Sequence, residues 1–212
     1  MLFWLGWSLS RLLLMTLGRC KVIGRENVPK KGGIILAPNH ISYIDPPTVG
    51  CMIPRQTHFM AKSELFEIPV LGFLIRAVGS FPVRQHTADR AALKKAIELL
   101  GQGRVVCIFP EGHRNLTGEL LPAQAGFGMI ALKSKAPVVP VALIDTDRLL
   151  PPHSFFFRFA HVQVIYGKPM TFDDLYDRGM DREAIEEVGR RVMTAIAELR
   201  ETAGCVSFPV AS

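Results

Sequence analysis

The chain has 212 residues, of which 49% are hydrophobic and 8% aromatic, and it carries a formal net charge of +6. This length suits a single domain with its own core, and four widely separated cysteines exclude a disulfide framework and a cysteine-based zinc site. The positive charge favours an anionic partner, but the basic residues are scattered and do not alternate with aromatic ones, which argues against nucleic acid.

The first 19 residues predict an amphipathic helix at a membrane surface. Arg11 interrupts the apolar run, which is therefore too short to span a bilayer, and a secretory cleavage site is absent. On a helix one stripe holds Ser8, Arg11, Met15 and Arg19, while most leucines lie on the other side. Trp4 and Trp7 suit the head-group level. The alternative is a helix docked on the protein's own core.

From residue 20 to residue 212, short β-branched runs alternate with helical patterns. The predicted strands are 20–24, 33–38, 57–61, 80–84, 104–109, 138–144 and 161–166. The predicted helices are 87–101, with Thr87 as its N-cap, 124–135 and 181–203. This alternation predicts an α/β fold with a mostly parallel central sheet covered by helices.

Residues 63–79 fit neither pattern. They are strongly apolar, are interrupted by Pro69 and Gly72, and are too long for a strand. Three interpretations stay open: a broken core helix, the wall of an apolar slot, or a second helix that contacts the membrane.

Of the six histidines, only His40 has an acidic residue five positions later, Asp45. A histidine that acts as a general base needs such a carboxylate to fix its tautomer. The pair follows the predicted strand 33–38 at its carboxyl end, where sites lie in parallel sheets. Residues five apart on one helix do not meet, so His40 must lie in a loop and the helix must begin near Asp45, as Pro46 and Pro47 allow. The alternatives are a backbone-bonded loop histidine and a plain N-cap at Asp45.

The segment 109–114, FPEGHR, is a second candidate site at the end of a predicted strand. Gly112 allows its N–H group to approach an anion or a developing oxyanion, and Arg114 carries a planar guanidinium suited to phosphate. Glu111 is placed to orient Arg114 or to accept a substrate hydroxyl. The alternative is a surface turn with an incidental ion pair.

Other chemistries lack their sequence motifs. The chain has no G-x-S-x-G elbow, no H-E-x-x-H and no phosphate-binding glycine loop, so we expect no metal and no cofactor. Lys62 and Arg84 each lie at the end of a predicted strand and are further candidates for this anion site. The alternative is that both are solvated surface side chains.

These residues resemble the motifs of the glycerol-phosphate and lysophosphatidate acyltransferases. Residues 39–45 resemble the first motif, N-H-x-S-x-x-D, and residues 109–114 are similar to the third, F-P-E-G-T-R-S. Residues 79–84 and 139–142 resemble the second and fourth motifs. The departures are His113 in place of Thr, Asn115 in place of Ser, and Pro82 within the second motif.

The resemblance implies transfer of a fatty acyl group from acyl-CoA or acyl carrier protein to the 2-hydroxyl of 1-acylglycerol-3-phosphate, giving phosphatidic acid. It implies His40 as the base and Asp45 as its orienting partner. It also implies a peripheral or monotopic position on the cytoplasmic face of the cell membrane, against an anionic surface. The alternatives are glycerol-3-phosphate or another lyso-lipid as acceptor, a peripheral hydrolase, and a non-catalytic lipid-binding protein.

The resemblance implies roles for three further groups of side chains. The residues implied to stabilise the oxyanion are Gly112 and Lys62. The residues implied to bind the substrate phosphate are Arg84, Glu111 and Arg114. The residues implied to line an acyl-chain channel are Leu65, Phe66, Val70, Leu71, Phe73 and Leu74.

Overall fold

The computed structural model describes residues 2–84 and 89–204, with only the backbone of residues 2–5. The strands are β1 Lys21–Ile23, β2 Ile34–Pro38, β3 Thr57–Lys62, β4 Phe81–Val83, β5 Val105–Cys107, β6 Val138–Ile144 and β7 Gln163–Tyr166. The α-helices are α1 Leu2–Thr16, α2 Asp45–Cys51, α3 Pro69–Ala77, α4 Arg90–Gly101, α5 Ala125–Ser134, α6 Thr146–Leu149, α7 Asp173–Tyr176 and α8 Arg182–Thr202. Short 3-10 turns occupy Arg25–Asn27 and Ser63–Phe66.

The strands form one sheet in the order β1-β7-β6-β2-β5-β3-β4. Neighbouring strands from β6 to β4 are parallel, β7 is antiparallel to β6, and β1 is parallel to β7. All seven predicted strands are present. The prediction of a mostly parallel sheet with flanking helices is therefore confirmed.

Helices cover both faces of the sheet because successive side chains of a buried strand point to opposite sides. Ile35 and Ala37 of β2 belong to the cluster that packs against α4, α5 and α8. Ile34 and Leu36 belong to the other cluster, with Leu14 of α1 and residues of α2. The central strand β2 is thus buried along its whole length, and its carboxyl end lies in the middle of the sheet edge.

Helix α1 docks on the protein with one face and leaves another exposed. Leu14 is fully buried, and the Arg11 guanidinium donates to the Cys51 carbonyl (3.3 Å) at the end of α2. Basic side chains suit this position because the last carbonyls of a helix are unpaired and carry partial negative charge. The large apolar side chains of the outward face are Leu9, Leu12 and Met15, and Ser8 and Thr16 are exposed as well. The faces therefore differ from the prediction: Arg11 points inward, whereas Met15 is exposed among leucines.

Two further segments were only partly predictable. Residues 63–79 form a 3-10 turn followed by α3, with the break at Pro69. A Cβ atom at Gly72 would lie 2.3 Å from the Phe66 carbonyl oxygen, so the turn and the helix can pack this closely only with glycine there. Helix α4 begins later than expected, because the Asp89 carboxylate caps the N–H groups of Ala91 and Ala92. The predicted cap, Thr87, lies outside the described residues.

Three cysteines lie in the core next to the sheet. Burial raises the pKa of Cys20 to about 11 and that of Cys51 to about 12, and raises the pKa of Cys107 well above its ordinary value. A raised pKa keeps each thiol protonated at neutral pH, and only the thiolate is reactive.

We therefore expect Cys20, Cys51 and Cys107 to resist alkylation in the folded protein. Peptide mass spectrometry after iodoacetamide treatment, with and without denaturant, measures this. Labelling of these three cysteines at equal rates in both conditions would contradict the buried positions.

Candidate active site

The two predicted motifs meet because the strands before them are neighbours. Strands β2 and β5 are paired in parallel, with Ile35 opposite Val106 and Leu36 opposite Cys107. The chain therefore leaves both strands at the same edge of the sheet, and the segments 39–45 and 109–115 lie side by side.

His40 and Asp45 form a close pair. His40 Nδ1 lies 2.8 Å from Asp45 Oδ2, and helix α2 begins at Asp45, as the spacing requires. The His40 ring stacks on Phe109 with the ring centroids 3.9 Å apart, and the His40 side chain is 16% exposed. Because Nδ1 faces the carboxylate, Nε2 is the nitrogen directed away from this pair.

The Asp45 carboxylate is fully buried and well satisfied. Oδ2 accepts the N–H groups of Ile41 and Ser42, each at 2.7 Å, in addition to His40 Nδ1. Oδ1 accepts the hydroxyl of Thr146 at 2.5 Å. A buried carboxylate needs such donors to remain charged. The N-cap interpretation of Asp45 does not fit, because its side chain bonds the loop before α2 rather than the first helical N–H groups.

Thr146 and Asn39 are site residues that the sequence analysis did not assign. Thr146 opens α6, just after β6, and so reaches the same sheet edge as His40. The Asn39 amide exchanges two hydrogen bonds with the backbone of Leu143 in β6, at 3.0 and 2.7 Å. A polar residue within two positions of the end of a buried strand at this edge is the signal that identifies Thr146.

The backbone of His40 is held from both sides. Its N–H group donates to Glu111 Oε1 at 3.1 Å, and its carbonyl accepts the Asn115 N–H group at 2.7 Å. Glu111 is 1% exposed, and its other oxygen accepts the Leu121 N–H group at 3.1 Å. Burial raises the pKa of Glu111, and the two N–H donors oppose this shift. Glu111 therefore links three chain segments instead of orienting Arg114, the role considered from sequence.

Arg114 and Gly112 lie on the outer side of this loop. The Arg114 guanidinium stands over the Tyr43 ring, 3.4 Å from its centroid, which fixes a cation beside the His–Asp loop. The Gly112 N–H group donates to the Phe109 carbonyl at 3.0 Å and closes a turn. Gly112 has φ 76°, and a Cβ atom there would lie 2.8 Å from Gln124 Cγ.

Lys62 and Arg84 lie farther along the sheet edge. Lys62 Nζ is 3.3 Å from a Glu64 carboxylate oxygen, and both side chains are exposed. Arg84 follows β4, the outermost strand, and its guanidinium is 3.7 Å from Asp89. Arg84 also lines a groove of about 530 Å³ between β4 and α4.

The predicted channel residues mostly form an outward surface. Phe66 is buried and Leu65 is half-buried. The other four are exposed on α3, namely Val70, Leu71, Phe73 and Leu74. In the described ranges, no cluster of three or more His, Cys, Asp or Glu side chains could hold a metal ion.

Comparison with known proteins agrees with the arrangement of the two motifs. The family model described as Acyltransferase matches residues 19–144, more than half of the chain, and this range contains both motifs. The chain belongs to the acyltransferase family. The resemblance noted in the sequence is thereby confirmed.

Several relatives of this acyltransferase are named 1-acyl-sn-glycerol-3-phosphate acyltransferase. The Bacillus subtilis protein of that name is 37% identical over 76% of this chain and 78% of its own length. The Saccharomyces cerevisiae protein is 33% identical over 73% of this chain and 52% of its own length. The solved structure of the 1-acyl-sn-glycerophosphate acyltransferase PlsC from Thermotoga maritima is 28% identical, with a TM-score of 0.72 over 94% of this chain and 81% of that one.

Proposed function

We propose that this acyltransferase moves a fatty acyl group from an acyl thioester to the 2-hydroxyl of 1-acylglycerol-3-phosphate, giving phosphatidic acid. The observation that carries the proposal is the His40–Asp45 pair, with 2.8 Å between Nδ1 and Oδ2 and a partly exposed imidazole. The names of the relatives from Bacillus subtilis and Saccharomyces cerevisiae support this choice of acceptor. Acyl-CoA and acyl carrier protein both supply the required thioester.

In the proposed reaction His40 acts through Nε2. It takes the proton of the acceptor hydroxyl, and the resulting oxygen nucleophile attacks the thioester carbonyl carbon. Asp45 faces Nδ1 of the ring, and its negative charge stabilises the imidazolium that forms. Collapse of the tetrahedral intermediate breaks the carbon–sulfur bond, and the departing thiolate takes the proton from His40. Proton and electron pairs therefore balance without a metal or a cofactor.

Direct transfer is favoured over an acyl-enzyme because the nearby nucleophilic side chains are engaged or buried. Ser42 is 2% exposed, and its hydroxyl donates to the Leu150 carbonyl at 3.0 Å. Cys107 is fully buried, with its pKa raised by that burial.

Four cationic or N–H groups complete the proposal. Arg114, fixed over Tyr43, binds the acceptor phosphate, and Arg84 does so from β4. Lys62 and Gly112 stabilise the oxyanion, and for Gly112 this requires its N–H group to turn away from the Phe109 carbonyl. Glu111 contributes from behind the site by holding the His40 backbone.

We further propose that the protein works as a peripheral or monotopic protein on the cytoplasmic face of the cell membrane. The support is the exposed face of α1, formed by Leu9, Leu12 and Met15, together with the exposed face of α3. Across residues 2–84 and 89–204, no helix is both long and apolar enough to span a bilayer.

A competition experiment between acceptors tests the proposed substrate. With lysophosphatidate and glycerol-3-phosphate present together and either thioester as donor, we expect phosphatidate as the main product. Preferential formation of lysophosphatidate would show that glycerol-3-phosphate is the acceptor and would contradict the proposal. Release of free fatty acid at the same rate without any acceptor would instead indicate a hydrolase.

A further inference from the structure

The loop between α6 and β7 exposes a group of phenylalanines. Phe155 is 94% exposed, Phe156 82% and Phe159 75%, and Phe157 is partly exposed between them. Scattered exposed apolar residues are ordinary on protein surfaces, but neighbouring large ones mark an interaction site. The catalytic proposal leaves these side chains without a role.

The backbone of this loop is held in place. The Phe156 N–H group donates to the Ser154 hydroxyl at 3.1 Å, and the Ser154 N–H group donates to the Pro151 carbonyl at 3.1 Å. The Arg158 N–H group donates to the Leu149 carbonyl at 2.8 Å. Phe155 and Phe156 therefore lie within a loop whose two ends are joined by the bond between Arg158 and Leu149.

The loop lies directly beside helix α1. The Ala160 N–H group donates to the Leu17 carbonyl at 3.1 Å, and the Val162 N–H group donates to the Gly18 carbonyl at 2.8 Å. Phe157 and Leu9 line one apolar groove of about 310 Å³. We call the exposed apolar residues of these two adjoining elements the apolar rim, which comprises Leu9, Leu12, Met15, Phe155, Phe156 and Phe159.

The two chain segments that carry the apolar rim are basic, and the nearest acids before the second segment are Asp145 and Asp147. Residues 1–25 and 148–172 contain no Asp or Glu, so each formal charge within these two segments is positive. Arg148 is paired with Asp145, which lies outside them, while Arg19 and Arg158 are exposed. An apolar surface bordered by cations matches a bilayer with anionic head groups, where the ring enters the interface and the cation meets the lipid charge.

We propose that the loop 151–159 is a second membrane-insertion element, which places Phe155, Phe156 and Phe159 in an anionic bilayer beside the outer face of α1. The shared groove is also lined by Tyr43 and Ile44, which precede Asp45. The lipid acceptor therefore has an apolar path from the bilayer to the His–Asp loop. This path rests on the proposed function, whereas insertion of the loop rests on the apolar rim alone.

Vesicle co-sedimentation of the full-length protein tests the proposal. The variants are Phe155→Ser/Phe156→Ser and Leu9→Ser/Leu12→Ser, with Met180→Ser as an exposed apolar control in another loop. On vesicles of phosphatidylcholine with phosphatidylglycerol, each double variant should lose at least about tenfold in partitioning, which corresponds to about 1.4 kcal/mol. Met180→Ser should bind as the unaltered protein does. Added salt should weaken binding of the unaltered protein, because it screens the lipid charge.

Unchanged partitioning of Phe155→Ser/Phe156→Ser would overturn the proposal. This holds even if Leu9→Ser/Leu12→Ser loses binding, because α1 alone would then insert. The same holds if the phenylalanine variant merely converts a dimer to a monomer in size-exclusion chromatography, since the loop would then contact a second copy. Thermal unfolding checks the fold, and Phe155→Ser alone serves if the double variant is unstable. Loop-dependent binding in a protein without acyl transfer would refute the proposed function and leave this inference standing.

Discussion

We expect His40→Ala to lower the rate of acyl transfer by at least about 10²-fold, the usual cost of losing a general base. The imidazole is the group that the proposal places next to the acceptor hydroxyl, and its Nδ1 is committed to Asp45 at 2.8 Å. The fold should persist, because Glu111 and Asn115 hold His40 through its backbone and not through its ring. Initial rates in detergent with saturating acceptor, together with thermal unfolding, measure both effects.

His161→Ala is a matched control for this substitution. His161 is an exposed histidine before β7, so its removal should leave the rate in detergent unchanged. A folded His40→Ala protein with a rate close to that of His161→Ala would remove the base from the proposed mechanism.

We expect Asp45→Asn to lower the rate by about 10²-fold or more, since it removes the charge that stabilises the imidazolium. The substitution preserves the shape of the side chain. Its amide oxygen can still accept the N–H groups of Ile41 and Ser42, and its NH₂ group can donate to the Thr146 hydroxyl. The loss should therefore fall on the turnover rate and not on stability.

Combining the two substitutions separates a joint role from independent ones. Residues that act as a unit show strongly non-additive effects. His40→Ala/Asp45→Asn should therefore be hardly slower than His40→Ala alone. A double variant in which the two losses multiply would show that Asp45 supports the reaction by a route other than His40.

The sequence predicted the strands well because a parallel sheet buries both faces of its strands. Such strands are near-continuous apolar runs bounded by residues typical of turns, such as proline, glycine or aspartate. The run 138–144 is an example, and β6 has the same bounds. The meeting of His40 with Asp45 was also predictable, because the two prolines after Asp45 restrict where a helix can begin.

The contacts that support the site were harder to foresee because they cross long stretches of chain. Thr146 bonds Asp45 across 101 residues, and Glu111 bonds the His40 backbone across 71. The order of the strands in the sheet creates both contacts, and local sequence patterns do not predict that order. The helical period in residues 1–19 likewise defines faces without stating which one meets the core. The structure shows that the face with Leu14 meets the core and that Arg11 donates to the Cys51 carbonyl.

The most direct test of the proposed function is acyl transfer from labelled acyl-CoA and labelled acyl carrier protein to lysophosphatidate in detergent, with the unaltered protein and His40→Ala compared. The proposal predicts labelled phosphatidate from at least one donor, and a loss of at least about 10²-fold in the variant. Equal product from both proteins, or no product from folded protein with either donor, would contradict it.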